Sequence, residues 1–141
     1  MSNAVMDSAI TSYGNGDVDY TSNTIKLALM SGTAPDPTDD AIITIQDLLT
    51  AGNTIISEVT LASKTLANKE FGHADPTFTA VSGAAITFAI QYMDSGVTTT
   101  SPLLALWDTA TAGSGLSEFP ITPNGLDIGV AFSDPTKVYS L

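Results

Sequence analysis

Apolar residues recur along this chain at two different periods, and the change of period divides it. Near the start, Val5, Met6, Ala9, Ile10 and Tyr13 fall at three- and four-residue intervals, the spacing that lines one face of an α-helix. Ser2 or Asn3 can cap such a helix and Gly14 can end it, which predicts a short amphipathic arm over about residues 1–14. "GNGDVDYTSN" then turns the chain, with Asn15-Gly16 supplying the positive φ of a tight turn. "TIKLALMS" follows at period two. Ile25, Leu27 and Leu29 share one face and Lys26, Ala28 and Met30 the other, the pattern of a β-strand. The prolines of "GTAPDPTDD" stop it, because proline brings no donor to a ladder. Beyond them Ile42, Ile45, Leu48 and Leu49 fit a second short helix, capped near Thr38 or Asp39 and ended around Gly52, although its threonine and isoleucine content keeps that assignment open.

From there the period is mostly two. Val59 and Leu61 alternate with polar neighbours in "SEVTLAS", and "TFTAV" around Phe78 reads as a short strand. Ile86, Phe88, Ile90 and Tyr92 make one continuous apolar face, with Ala85, Thr87, Ala89 and Gln91 forming a smaller and more polar one. "PLLALWDT" differs, since Leu103, Leu104, Leu106 and Trp107 put apolar groups on both faces, as in a central strand covered on both sides. The connection "MDSGVTTTSP" is too short for a helical crossover, so these two strands should be antiparallel. "SEFPIT", the turn "PNG" and "LDIGVAFS" predict a hairpin in which Leu126, Ile128, Val130 and Phe132 alternate beyond Asn124-Gly125. "DPTK" turns again and "KVYSL" can add a last strand. About seven or eight strands with one or two short helices give the expected fold class. It is mainly β, an antiparallel β-sandwich or a jelly-roll-like or open barrel, in a single domain over 1–141.

Composition narrows what such a domain can do. A chain of 141 residues can bury a core without covalent staples, and it has no cysteine. Disulfides, thiolate metal sites and cysteine nucleophiles are thereby excluded. No run approaches the ~20 apolar residues of a membrane span, and "MSNAVMDSAITSYG" lacks the basic region and apolar core of a signal peptide, so a soluble, unexported chain is expected. Fifteen Asp and Glu face four lysines, Lys26, Lys64, Lys69 and Lys137, for a net charge of -11. Phosphate backbones and anionic membranes would be repelled, so neither nucleic acid nor a membrane is an expected partner. The acidity suits solubility and repulsion between copies; a sharper reading is that one face meets a basic partner.

Candidate chemistry is thin. The lone histidine, His73 in "FGHADPT", could act as a base oriented by Asp75, but no serine stands in a G-x-S-x-G elbow, and a loop histidine is the simpler reading. One histidine without cysteine is a poor start for zinc. Asp17 and Asp19, Asp36, Asp39 and Asp40, and singly Asp75, Asp94, Asp108 and Asp134 could include a glycosidase pair. Short carboxylates in such loops ordinarily form turns and caps. "DPTDD" and "GNGDVD" lack the ordered ligand spacing of a helix-loop-helix calcium site. There is no phosphate-binding glycine motif, and "GSG" at 113–115 reads as a flexible turn. Trp107 and Tyr92 could form a sugar platform, but a tryptophan within "LLALWDT" fits a core better. The expectation is therefore no catalytic residue, no metal, no cofactor and no enzyme, but a binding or building part.

The order of segments carries a more specific likeness. A short helix leads through a turn into "DYTSNTIKLALMSG"; a Pro/Asp loop and small helix precede "ISEVTLASKTL"; then come "ADPTFTAVSGAAITFAIQYMDSG", "SPLLALWDT" and "FPITPNGLDIGVAFS". This order resembles a family of small virion proteins of tailed bacteriophages. Those chains read as a "dtikvaLl" strand, a "gYtaGG..L" segment, a "D.tfta.....tar.avly" strand, a "pLia..d" strand and a closing "fti.....gi..." hairpin. Here "AGNTIISEVTLAS" stands where the family carries its glycine-rich element, which leaves the register of the middle third open. The resemblance implies a structural protein of the virion, made in the host bacterial cytoplasm. Its implied role is capsid decoration (cement) on the outside of the icosahedral head. The implied partners are the major capsid protein and further copies of the chain, with a trimer favoured. A neck, tail or tail-fibre position with a receptor- or carbohydrate-binding role is the alternative it allows. An amphipathic terminal arm can pack on a neighbour as easily as on its own sheet, so Val5, Met6, Ile10 and Tyr13 are the expected partner contact.

Overall fold

The alternating run that begins at Ile25 becomes an interior strand of a five-stranded sheet. A computed structural model describes residues 4–108, 119–130 and 138–140. In chain order the elements are β1 (Ala4–Val5), α1 (Asp7–Gly14), β2 (Ile25–Ser31), α2 (Ile45–Thr50), β3 (Thr54–Thr60), β4 (Thr65–Ala67), β5 (Glu70–Gly72), β6 (Thr77–Phe78), β7 (Phe88–Met93), β8 (Leu103–Trp107), β9 (Ile128–Gly129) and β10 (Tyr139–Ser140). The strands form a five-stranded sheet in the order β1-β8-β7-β2-β3, a three-stranded sheet β10-β5-β4, and the pair β6-β9. Every pairing is antiparallel. The fold is mainly β with two helices, and the described strands do not close into a barrel.

Register puts the apolar positions together. Leu27 lies opposite Val59 on one side and Gln91 on the other, while Ile90 is matched to Ala28 and to Leu106. Every residue of β8 is buried, as expected of a strand covered on both sides. The polar face expected of β7 is not polar in its surroundings: Ala89 and Gln91 are buried as fully as Phe88 and Ile90, and on β2 Ala28 and Met30 are buried with Leu27 and Leu29. The reason is cover on both faces of the sheet, to which α1 contributes by packing on β8. Each such large side chain contributes about 1.5–3 kcal/mol of burial. One contiguous core runs from Met6 to Val130.

Both helices start later than the sequence suggests. Ala4 and Val5 pair with Leu106 and Ala105, so the chain is extended until Met6 and α1 begins at Asp7; Ser2 and Asn3 lie outside the described residues. The Asp7 amide donates to the Pro37 carbonyl at 2.9 Å, which ties α1 to the Pro/Asp loop. For α2 the cap is Thr44, not Thr38 or Asp39. Its hydroxyl accepts from the Asp47 amide while the Asp47 carboxylate accepts from the Thr44 amide, a reciprocal capping box. Gly52, at φ +97°, ends that helix as expected.

Two local pairings differ from expectation. The segment around Asn124-Gly125 makes its turn, but among the described residues its arms do not pair with each other. Ile121 bridges to Ile86, the Gly125 amide donates to Val81 O, and β9 pairs with β6. This stretch lies along the 76–86 segment, whose Phe78, Val81 and Ile86 are buried in the core. Ser117, Glu118, Phe132, "DPTK" and "GSG" lie outside the described residues. The second difference is the hairpin of β4 and β5, which the alternation did not reveal. Its two-residue turn is Asn68-Lys69, both at positive φ (53° and 66°).

Candidate functional site

The short carboxylates of the loops mostly serve the backbone. Asp19 Oδ1 accepts from the Thr21 amide and hydroxyl and from the Ser22 amide; Asp36 accepts from the Thr38 amide and hydroxyl; Asp39 accepts from the Ala41 amide. Bonds from Ser22 and Thr21 hold Asp19 below its ordinary pKa, and the Thr38 amide and hydroxyl do the same for Asp36. Asp94 accepts from the Gly96 amide and pairs with Lys26 at 2.9 Å; that lysine, before the amide, keeps its carboxyl low. Among the described residues no three His, Asp or Glu side chains are grouped to hold a metal ion. Asp134 lies outside those residues.

The histidine and the two aromatic candidates from sequence are in the interior. His73 is buried and its Nδ1–H donates to the Ala74 carbonyl at 2.8 Å. Burial holds its pKa below the usual value, against weaker opposition from that carbonyl and from Asp75, so the imidazole is neutral at pH 7. Trp107 and Tyr92 are both core residues, not an exposed platform. The Tyr92 hydroxyl donates to Glu58 Oε2 at 2.5 Å, and Lys26 reaches Glu58 Oε1 at 3.3 Å, so one polar ladder crosses β3, β2 and β7. It is built as a structural network, with each charge facing an opposite one.

The arm residues have unequal environments. Met6 is buried in the chain's own core and Val5 is half-buried against β8; Ile10 is 53 % exposed. Tyr13 is half-buried, with its hydroxyl 2.9 Å from that of Tyr139. It enters an aromatic cluster around Phe71, which stacks on Tyr139 at 4.6 Å, meets Tyr20 edge-on at 4.9 Å and lies 5.0 Å from Tyr13. Of the four expected contacts, Ile10 alone presents most of its side chain to solvent.

The cluster sets an alkaline limit to stability. Burial pushes the Tyr13 phenol up to about 12 and raises Tyr20 and Tyr139 as well. The folded state therefore keeps protons that the unfolded chain, with tyrosines near 10, releases. Their contribution is complete below pH ~10 and is lost as the pH rises through the folded values. Melting temperature should be insensitive to these groups below pH ~10 and fall above it, with tyrosinate absorbance appearing together with unfolding. Ionisation of all four tyrosines near pH 10 in a chain that stays folded would contradict this.

An open cleft of about 570 Å³ lies between α1, the loop before α2 and the turn at Thr98–Thr100. Ile43, Met93 and Pro102 supply apolar wall, Ser8 and Thr44 hydroxyls, and Asp17 and Asp40 carboxylates. Sequence reasoning missed it because its lining comes from four separated segments, and only Asp17 and Asp40 had been singled out. A second groove, of about 560 Å³, lies beside the β4–β5 hairpin and includes Leu66, 47 % exposed. No helix among the described residues is long and apolar enough to cross a membrane. The chain matches no family model, no curated protein and no solved structure.

Proposed function

We propose that this chain is a decoration (cement) protein of a tailed bacteriophage, bound to the outside of the icosahedral head as an oligomer, with a trimer favoured. The carrying observation is the order of segments along the chain, from the arm through "TIKLALMS" and "AITFAIQYM" to "PLLALWDT". The architecture supports it. Three antiparallel sheets around one continuous core make a rigid block, and we read their arrangement as a sandwich-like or open-barrel form. Carboxylates committed to turns and to a cross-strand ladder fit a building part. A net charge of -11 keeps free copies apart before assembly. Binding then depends on a lattice that presents many sites at once, so a modest contact per copy is enough.

The test is the number of copies per purified particle, measured by quantitative mass spectrometry against the major capsid protein. A ratio equal to that of the shell protein, or a simple large fraction of it, is expected. A handful of copies per particle would remove the protein from the head lattice and put it at the neck or tail.

A further inference from the structure

We propose that the cleft between α1, the Ala41–Thr44 segment and the Thr98–Pro102 turn receives a basic segment of a partner protein, with a lysine or arginine stem on its apolar wall and the cationic head between Asp17 and Asp40. The inference rests on the reading of the chain as a part that docks on another protein, and it names the docking surface and the partner's chemistry.

Shape and charge point to the same occupant. Ile43, Met93 and Pro102 give the cleft an apolar wall, and Ile43 is 41 % exposed despite its size. A purely apolar ligand would have to sit beside two exposed carboxylates, whereas a small cation would leave the wall uncovered. Lysine and arginine side chains satisfy both, since their stems lie on apolar surface while the head stays polar. The chain's own described lysines are placed elsewhere. Lys26 is held by Glu58 and Asp94, Lys64 donates to the Asn23 carbonyl, and Lys69 lines the other groove. The remaining loop carboxylates differ from this pair, because Asp19, Asp36 and Asp39 already accept backbone amides. The walls are also anchored, with Asp7 bonded to Pro37 and the Ile43 carbonyl accepting from Leu103 at 2.9 Å. A preformed cleft loses little ordering entropy on binding.

The test titrates the isotope-labelled full chain with a short unstructured peptide of alternating lysine and leucine, and with the same peptide carrying glutamate for lysine, while amide resonances are followed. Shifts should concentrate at Ser8, Thr11, Ile43, Thr44 and Thr100, weaken with added salt, and be absent with the acidic peptide. Asp17→Asn with Asp40→Asn should weaken binding about three- to tenfold. Ile43→Ser should weaken it too while leaving its salt dependence in place. Shifts spread over the whole acidic surface, or binding unchanged in the Asn double variant, would overturn the proposal. The two readings fail separately. A cleft that binds the peptide in a chain present in few copies per particle would keep this inference and remove the head lattice; an abundant shell protein with a silent cleft would do the reverse.

Discussion

Gly32→Ala should destabilise the protein by about 3–5 kcal/mol, far more than the same change at Gly52. Gly32 follows β2 at φ +129°, a backbone region that costs an L-residue about 1–3 kcal/mol. Space is the larger obstacle. A Cβ there would overlap Asn53 Oδ1 and lie 3.2 Å from Asn53 Cα, so moving the side chain alone gives incomplete relief. Asn53 is buried and latches two elements: its Oδ1 accepts from the Thr33 amide at 2.8 Å and its Nδ2 donates to the Leu48 carbonyl at 3.1 Å. Displacing it strands buried polar groups at about 1–3 kcal/mol and loosens α2 from the end of β2. Gly52 is the internal control, since it also has positive φ but nothing lies within 4 Å of its added Cβ. Gly52→Ala should cost about 1–2 kcal/mol. Urea unfolding of the three proteins gives the comparison directly, and equal midpoints for the two variants would show that Asn53 yields without loss.

Such a latch is absent from any sequence pattern, and the contrast explains what could be read in advance. The strands β2, β7 and β8 were legible because long apolar runs bounded by Gly and Pro leave few alternatives. "LLALW" in particular announced cover on both faces, and β8 is buried throughout. The amphipathic start was legible as a helix but not in its first turn, because Val5 answers to the edge of β8 and not to its neighbours in sequence. Thr44 and Asp47 carry a capping-box spacing that was there to be seen, yet Thr38 and Asp39 look equally good without knowledge of where the Pro/Asp loop ends. The β4–β5 hairpin was missed because its turn is Asn-Lys and lacks the glycine that usually marks one. The closing hairpin failed for the opposite reason. A good turn at Asn124-Gly125 was present, but strands of two residues take whichever partner the tertiary fold offers. The cleft was invisible for the same cause, being assembled from distant segments. Side chains named for chemistry, His73, Tyr92 and Trp107, went to the interior, where their apolar bodies outweigh their polar tips.

Phe71→Ala should cost about 3–5 kcal/mol and should loosen elements that are far apart in sequence. Phe71 is fully buried on β5, and its ring is the one that touches Tyr13 of α1, Tyr20 of the connector and Tyr139 of β10. Each ring pair contributes about 0.5–1.5 kcal/mol beyond the area it buries. Removal leaves a cavity that the neighbouring tyrosines do not readily fill, because the Tyr13 and Tyr139 hydroxyls lie 2.9 Å apart and hold each other in place. The backbone link of β10 runs through the same residue, with the Val138 amide donating to the Phe71 carbonyl at 2.7 Å. That bond is between backbone groups, so it survives the substitution only if β10 stays in place without the ring stack. Phe71→Leu, which keeps much of the volume but not the stack, should cost about 1–2 kcal/mol. The alkaline titration separates simple weakening from opening of the cluster. In Phe71→Ala water reaches the phenols, so Tyr13 should ionise below its value of about 12, towards 10, while the chain is still folded. A variant that loses stability yet keeps every tyrosine raised would mean that Phe71 fills space without organising the rings. If instead stability and titration move together, the Phe71 ring organises the contacts of α1 and β10 with the small sheet.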